Sequence, residues 1–306
     1  MYDLIIIGGG PAGVSAGIYA ARKKLNTLII TDSFGGQSLV SAEIQNWIGT
    51  KSISGYDLAK SLEDHLRAQD GSIDIIDDDL VVSVEKTDAG FGAKTKNGKN
   101  LESKYLLIAS GSRRKHLGVP GEEKFNGKGV SYCSICDAPV FKDKVVAVIG
   151  GGNAGLEAAI DLLPYASKVY LIIRSEGMKG DPIIQDKIKN SPKVEILTFA
   201  LTQEILGDKF VSGLKYNDAK SGEAKELKLE GVFVEVGALP NSDIVKSLVK
   251  LNEKGEIVVD HRTEETSRPG IWAVGDVADV LYKQNNISAG DAVKAVLNIY
   301  EHFNKH

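Results

Sequence analysis

Cysteine occurs only twice in 306 residues, at Cys133 and Cys136 inside the stretch YCSICDAPVF, and Asp137 follows the second directly. A zinc site needs four ligands and two cysteines leave two to find, so a metal clip is set aside. Two inert buried thiols would be ordinary singly, but the C-x-x-C spacing lets two sulfurs close a small, reducible ring. A redox pair is the chemistry that uses both. Thiol and disulfide interconversion moves a proton at each turn, and a carboxylate beside the second sulfur can carry it if partial burial raises its pKa. The competing role for Asp137 is a turn residue ahead of Pro139.

A dithiol needs a source of electrons, and the rest of the chain supplies candidates. Residues 4–32 overlay residues 146–174 at a constant offset of 142. Each copy is an apolar strand, a glycine turn, an alanine-rich helix and a second apolar strand. In the first, LIII runs into GGGPAG with a helix expected from about Val14; in the second, VVAVI runs into GGGNAG with a helix expected from about Leu156. Gly8, Gly10 and Gly13, with Pro11 and Ala12 between, match Gly150, Gly152 and Gly155, with Asn153 and Ala154 between. A lone G-x-G-x-x-G is weak evidence, but both copies follow a strand and open a helix, as dinucleotide binding requires. One glycine makes the turn, one lets backbone approach a pyrophosphate, and one packs helix on strand. The helix N-terminus then presents free N–H groups to the phosphates.

Each unit is followed by meander signals, the Asn97-Gly98 turn before YLLI and the Ser221-Gly222 turn before GVFVEV. Polar connectors rich in Gly and Pro come next. The tail carries one strand at 271–274 and a last helix from about Ala289. The expected fold class is α/β, with two Rossmann-like three-layer dinucleotide-binding domains, the second inserted into the first. Residues 1–112 with 243–306 would form an FAD-binding domain, and 113–242 an NAD(P)H-binding domain carrying the cysteines.

Composition excludes several other classes. Hydrophobic residues at 42% and charged residues at 25% are globular averages. A net charge of −4 offers no basic footprint for nucleic acid. Only four apolar residues precede the first glycines, so neither a secretory segment nor a membrane anchor is read there, and a cytoplasmic protein is expected. The acidic run at 74–79 alternates with apolar residues and reads as a solvated strand edge or turn.

The residue ending each second strand separates the two nucleotides. Asp32 lies 19 residues past Gly13, and an acid there hydrogen-bonds ribose hydroxyls; Arg174 lies 19 past Gly155, where arginine suits a 2′-phosphate. The second site therefore leans to NADPH over NADH, with Lys179 as a second cation and an exposed strand-end charge as the alternative for Arg174. Gly35, Gly36, Gln37 and Asn46 make a side-chain-poor loop and an amide for an extended dinucleotide, and Gly275-Asp276 ends the tail strand with an acceptor.

In this order, the FAD turn, C-x-x-C-D and second nucleotide turn resemble the low-molecular-weight thioredoxin reductases over essentially the whole chain. FGGQ, VPGE, GKGVSYC, GGGNAGLEAAID and YKQ are similar to the reductase portion of the alkyl hydroperoxide reductase flavoprotein. That flavoprotein carries a further N-terminal thioredoxin-like module, whereas this chain starts at the FAD motif, so a separate thioredoxin- or glutaredoxin-like carrier is implied. The resemblance implies that Cys136 faces the flavin, Cys133 attacks the partner's disulfide, and Asp137 is the acid/base. It also implies that Gly111, Gly275, Asp276, Lys283, Gln284 and Asn285 line the flavin and that the protein is a homodimer. The family's H-R-R-x-x-x-R window reads IRSEGMK here, with one arginine kept and another replaced by lysine, which leaves NADH use open. Three other readings stay open on the residues: a reductase fed by ferredoxin or another donor, a flavin redox sensor without turnover, and flavin-mediated oxygen reduction.

Overall fold

The computed structural model describes residues 1–40, 44, 46–69 and 71–305, with the side chains of Val40, Ile135, Cys136 and Lys305 outside that description. The chain divides into two compact units, Met1–Arg113 with Leu239–His306, and Arg114–Ala238. The sequence places the crossing points at 112/113 and 242/243. The connecting segments Ser112–Arg114 and Ala238–Pro240 pair as two short strands.

The first unit is organised by the strand Tyr2–Gly9, paired in parallel with Thr27–Phe34 on one side and Asn100–Ile108 on the other. Asp74–Ile76 and Ile271–Ala273 extend the parallel sheet at either end. Successive strand side chains point to opposite faces, so the run LIII serves two cores at once. Leu4 and Ile6 pack with Val14, Ala16 and Ala20 of the helix Pro11–Arg22 and with Ala295, Val296 and Ile299 of the helix Asn285–Lys305. Ile5 and Ile7 pack on the other face with Val84, Phe91 and Ala93 of the meander and with Val245 and Ile257 of the tail. Helices on one face and a meander on the other make three layers.

The second unit repeats the plan. Its parallel sheet runs in the order Val194–Thr198, Lys168–Ile173, Val145–Ile149, Gly231–Val234, Val130–Ser131. Val146 and Val148 face the helix Asn153–Leu162, and Ala147 and Ile149 face the antiparallel meander at 200–228.

Three helices start earlier than their apolar periodicity announces. They begin at Pro11, Asn153 and Asn285 instead of near Val14, Leu156 and Ala289. The first turns are polar or rich in glycine and alanine and hold few large apolar side chains, so they carry little hydrophobic signal even where Ala12 reaches the core. Pro11 sits at the first helical position, where its fixed φ and missing N–H cost nothing.

The acidic run is only partly a solvated edge. Asp74–Ile76 is the edge strand, but Asp79 is buried and accepts the N–H groups of Leu80 at 2.9 Å and Asn97 at 3.1 Å. Burial alone would raise its carboxyl; the Thr95 hydroxyl and those N–H groups instead hold it below the ordinary carboxylate range.

Glu264 is the other buried acid among the described residues of this unit, at φ +62° and 1% side-chain exposure, paired with Lys294 of the last helix. Lys294 also donates to the His261 carbonyl at 2.8 Å and to Asp291 at 3.1 Å. Burial pushes the Glu264 carboxyl up, and Lys294 opposes the shift. Replacing Lys294 with Met strands the carboxylate and is expected to cost about 2–3 kcal/mol, less than a fully buried pair because Lys294 is half exposed. The urea midpoint should fall at unchanged slope. A carboxyl with a raised folded-state pKa binds its proton more tightly when folded, so the deficit should shrink as pH is lowered from 7 toward 5.

Candidate active site

The two glycine turns have the same three-part construction. Gly8 and Gly150 take φ +114° and +146°, and a Cβ at either would lie 2.3 Å from the Ala109 carbonyl oxygen or 2.1 Å from that of Glu235. A Cβ at Gly13 or Gly155 would lie 1.8 or 2.2 Å from the carbonyl oxygen of Gly8 or Gly150, so these glycines let helix close on strand. The middle pair differs. Gly10 has an ordinary φ of −73° and its nearest neighbour is the Gly36 Cα at 4.0 Å; Gly152, at −91°, has nothing within 4 Å. The protein itself has no use for the missing side chain there, which leaves open space in front of a helix N-terminus for a ligand phosphate.

In the first unit this space belongs to a cleft of about 500 Å³, within the usual range for ligand sites. Gly8, Gly10, Pro11, Ala12, Asp32, Gly36, Gln37, Gly111, Gly275, Asp276 and Asn285 all line it. Its lining suits a dinucleotide: a phosphate cradle at Gly10, an acid at Asp32, and the glycines Gly36, Gly111 and Gly275. Asp32 is exposed two residues before the end of the strand Thr27–Phe34, free to meet ribose hydroxyls. Ser112 donates to Asp276 at 3.3 Å, and Ser38 donates to Asn285 at 3.2 Å.

Five expected residues do not line the cleft. Gly13 is spent on helix packing, and Gly35, at φ +91°, lies where a Cβ would meet Ala59 at 2.4 Å. Asn46 donates to Gln284 at 3.1 Å, which joins two loops. Lys283 is held by the carbonyls of Asp276 and Ala278 and by Glu256 at 3.0 Å, so it braces the loop after the tail strand.

In the second unit Arg174 and Lys179 are exposed in the loop after the strand Lys168–Ile173. Among the described residues neither side chain is paired with a carboxylate. The Lys179 N–H donates to the Gly151 carbonyl at 2.7 Å and the Asp181 N–H to the Asn153 side chain at 2.7 Å, so the loop is tied to the glycine turn. Asn153 thus acts on the loop.

The redox turn lies in this unit. Cys133 is half-buried and disulfide-bonded, and precedes the one-turn helix Ser134–Asp137. The Ser131 hydroxyl accepts from the Cys133 N–H at 3.1 Å and donates to its carbonyl at 3.2 Å, and that carbonyl also takes the Asp137 N–H at 3.2 Å. Asp137 is half-buried; the Cys136 side chain lies outside the described residues. Ser134, between the cysteines, donates to Asp161 at 2.8 Å.

Among the described residues no group of His, Cys, Asp and Glu could hold a metal. The tail does contain an H-x-x-x-H spacing at His302 and His306, but His306 lies outside the described residues. The His302 Nδ1 is engaged with the Asn298 carbonyl at 3.0 Å, and its ring meets Trp272 edge-on. No described helix is long and apolar enough to cross a membrane.

Known proteins share this geometry. The model for pyridine nucleotide-disulphide oxidoreductases matches residues 2–295. The chain belongs to that family. The F component of alkyl hydroperoxide reductase in Pseudomonas aeruginosa is 43% identical over 98% of this chain and 58% of its own length. Its Staphylococcus aureus counterpart is 44% identical over 98% and 59%. The chain thus spans somewhat over half the length of these relatives. Among solved structures, Lactococcus lactis thioredoxin reductase superposes at TM-score 0.88 with 31% identity, covering 100% of both chains. The T. acidophilum thioredoxin reductase superposes at 0.84 with 38% identity, covering 99% of both. The fold is the two-domain Rossmann-like fold of those structures.

Sequence reasoning missed the acids around the redox turn of this family member. Glu157 and Asp161 lie one turn apart on the helix Asn153–Leu162, and Glu235 follows the strand Gly231–Val234. Burial raises all three, with Glu235 pushed up to about 7 against the opposing Arg114, which lies 3.1 Å away. An i, i+4 pair of acids on an otherwise apolar alanine-rich helix was the visible signal. Nothing in the sequence placed Glu235 near them.

The glycines of the second turn should separate by experiment. Gly155→Ala should cost about 1–3 kcal/mol of stability through overpacking. Gly152→Ala should cost under about 1 kcal/mol as an N-cap change yet weaken NAD(P)H binding at least roughly tenfold. Urea melts and fluorescence titration tell the two apart. Because Glu235 binds its proton more tightly when folded, it favours stability at low pH and this contribution fades as pH rises from about 4.5 through about 7. Glu235→Gln should flatten that part of the stability profile.

Proposed function

We propose that the chain is an FAD- and NAD(P)H-dependent disulfide reductase whose Cys133 and Cys136 deliver an electron pair to a thioredoxin- or glutaredoxin-like protein. The observation that carries the reading is the pairing of two ligand-shaped glycine turns with a disulfide-bonded Cys133 in the unit that holds the second turn. FAD would be held by Gly10, Asp32, Gly36, Gln37, Gly111, Gly275, Asp276 and Asn285, which line one cleft. NAD(P)H would be held by Gly152 and its helix, with Arg174 and Lys179 on the adenosine side. A flavin, when bound, supplies a two-electron carrier competent both with a nicotinamide and with a disulfide.

The chain's own residues perform the exchange with the partner. Cys133 as thiolate attacks one sulfur of the partner's disulfide, forming an intermolecular S–S bond as the partner's S–S bond breaks. The departing sulfur leaves with the bonding pair and takes a proton, for which Asp137 is the nearby acid. Cys136 as thiolate then displaces the partner's remaining sulfur and restores the Cys133–Cys136 disulfide. The partner gains two electrons and two protons, and the cysteine pair is oxidised by two electrons. Ser131 and the Asp137 N–H fix the Cys133 backbone while its sulfur changes partners.

Anaerobic turnover with a thioredoxin-like substrate tests this. Cys133→Ser should lose at least about 10³-fold in kcat, as expected for loss of a nucleophile that acts as part of a unit. The flavin of that variant should still be bleached by NADPH. If Cys133→Ser reduced every candidate carrier as well as the parent does, the proposal would fail. The exposed cations favour NADPH, so Arg174→Ala should lower kcat/KM for NADPH about tenfold and leave the value for NADH within about twofold. Failure of both nicotinamides to reduce the flavin would point to another electron donor.

A further inference from the structure

The spacer between the cysteines is where the redox turn is fastened to the rest of its unit. Ser134 is buried, with 7% exposure, and its hydroxyl donates to the Asp161 carboxylate at 2.8 Å. This bond links the one-turn helix Ser134–Asp137 to the helix Asn153–Leu162, whose N-terminus carries the second glycine turn. The bonds from Ser131 and Asp137 to the Cys133 backbone stay within the turn itself. Ser134 therefore supplies a side-chain tether from the turn to the nucleotide-binding helix.

We propose that Asp161 is a positioning residue of the redox pair, holding Cys133 in ring-closing geometry through the Ser134 hydroxyl. This rests on reading Cys133 and Cys136 as the redox pair. A hydroxyl bonded to an ionised carboxylate is held more tightly than one bonded to a neutral acid, so the tether should be strongest when Asp161 is charged. The charged groups acting with it are Glu157 on its own helix and Glu235, just past the strand Gly231–Val234, with Arg114 paired to Glu235. Burial raises Asp161, and the Ser134 bond opposes that shift. Glu157, Asp161 and Glu235 thus stand as three carboxylates against the one guanidinium of Arg114, and so the charge on Asp161, and with it the tether, responds to pH.

The tether is seen in the disulfide-bonded form, so its effect belongs in the equilibrium between disulfide and dithiol. The closing step is balanced by glutathione disulfide as oxidant: two protein thiols lose two electrons and two protons, and one glutathione disulfide becomes two glutathione thiols. The intact flavoprotein, without nicotinamide, is equilibrated in glutathione buffers over a series of pH values from about 5.5 to 8.5, then trapped with an alkylating agent and analysed by mass. Ser134→Ala is expected to lower the equilibrium constant for ring closure about three- to tenfold, the upper figure corresponding to about 30 mV for a two-electron couple. Ser134→Thr keeps the hydroxyl and should restore it. Asp161→Asn keeps an acceptor without the charge, so it should give an intermediate constant and remove the part of the pH dependence that Asp161 contributes. Unchanged constants and an unchanged pH profile in both Ser134→Ala and Asp161→Asn would overturn the proposal, as would a Ser134→Thr protein no better than Ser134→Ala. A parent protein that forms no disulfide in any buffer would instead refute the redox reading on which the tether rests.

Discussion

Everything in this molecule hangs on a contact between two backbones. At Gly13 against Gly8, and again at Gly155 against Gly150, helix meets strand at a distance that a single added carbon would forbid. The close approach brings the first turn of each helix to the end of its central strand, with unpaired N–H groups facing the open positions Gly10 and Gly152. A ligand phosphate can then be met by backbone alone. The central strands must be apolar on both faces to hold the helix there, which is why LIII and VVAVI read as unbroken hydrophobic runs.

The two units use that shared plan for different surroundings. In the first, the lining of the cleft beyond the glycine turn includes several glycines and serine hydroxyls, with Asp32 as an exposed acid. In the second, Arg174 and Lys179 stand exposed past the strand end, and the loop between them is bonded back to the turn by Lys179 and Asp181. Charge is also placed unevenly in depth. The second unit concentrates Glu157, Asp161 and Glu235 near the redox turn, where burial disfavours their ionised forms. In the first unit the buried acid Glu264 is answered by Lys294, and the buried Asp79 by the N–H groups of Leu80 and Asn97.

The residues that do chemistry in this reading were legible because each is bound to a local pattern. Both glycine motifs, the C-x-x-C-D and the strand-end Asp32 and Arg174 are defined by spacings of a few residues to about twenty. Such spacings survive folding, since they are set by one strand, one turn and one helix. Residues expected on weaker local grounds divided. Gln37 and Asn285 line the cleft, whereas Gly35, Asn46 and Lys283 are occupied with packing and loop bonds that sequence distance conceals. The helix starts at Pro11, Asn153 and Asn285 were hidden for a related reason, because a turn with few large apolar side chains leaves little periodic trace.

By itself the sequence determined the family, the duplicated strand, turn and helix, and the pair of cysteines with an acid beside them, since these follow from chain-local geometry and residue type. Only the tertiary structure decided which polar groups meet across the chain. Ser134 finds Asp161 across 27 positions, Arg114 finds Glu235 across 121, and Lys294 finds Glu264 across 30. Those meetings depend on which strands lie side by side and how deeply the partners are buried. Burial and long-range proximity set the protonation of the carboxylates, and neither is a property of any short stretch of sequence.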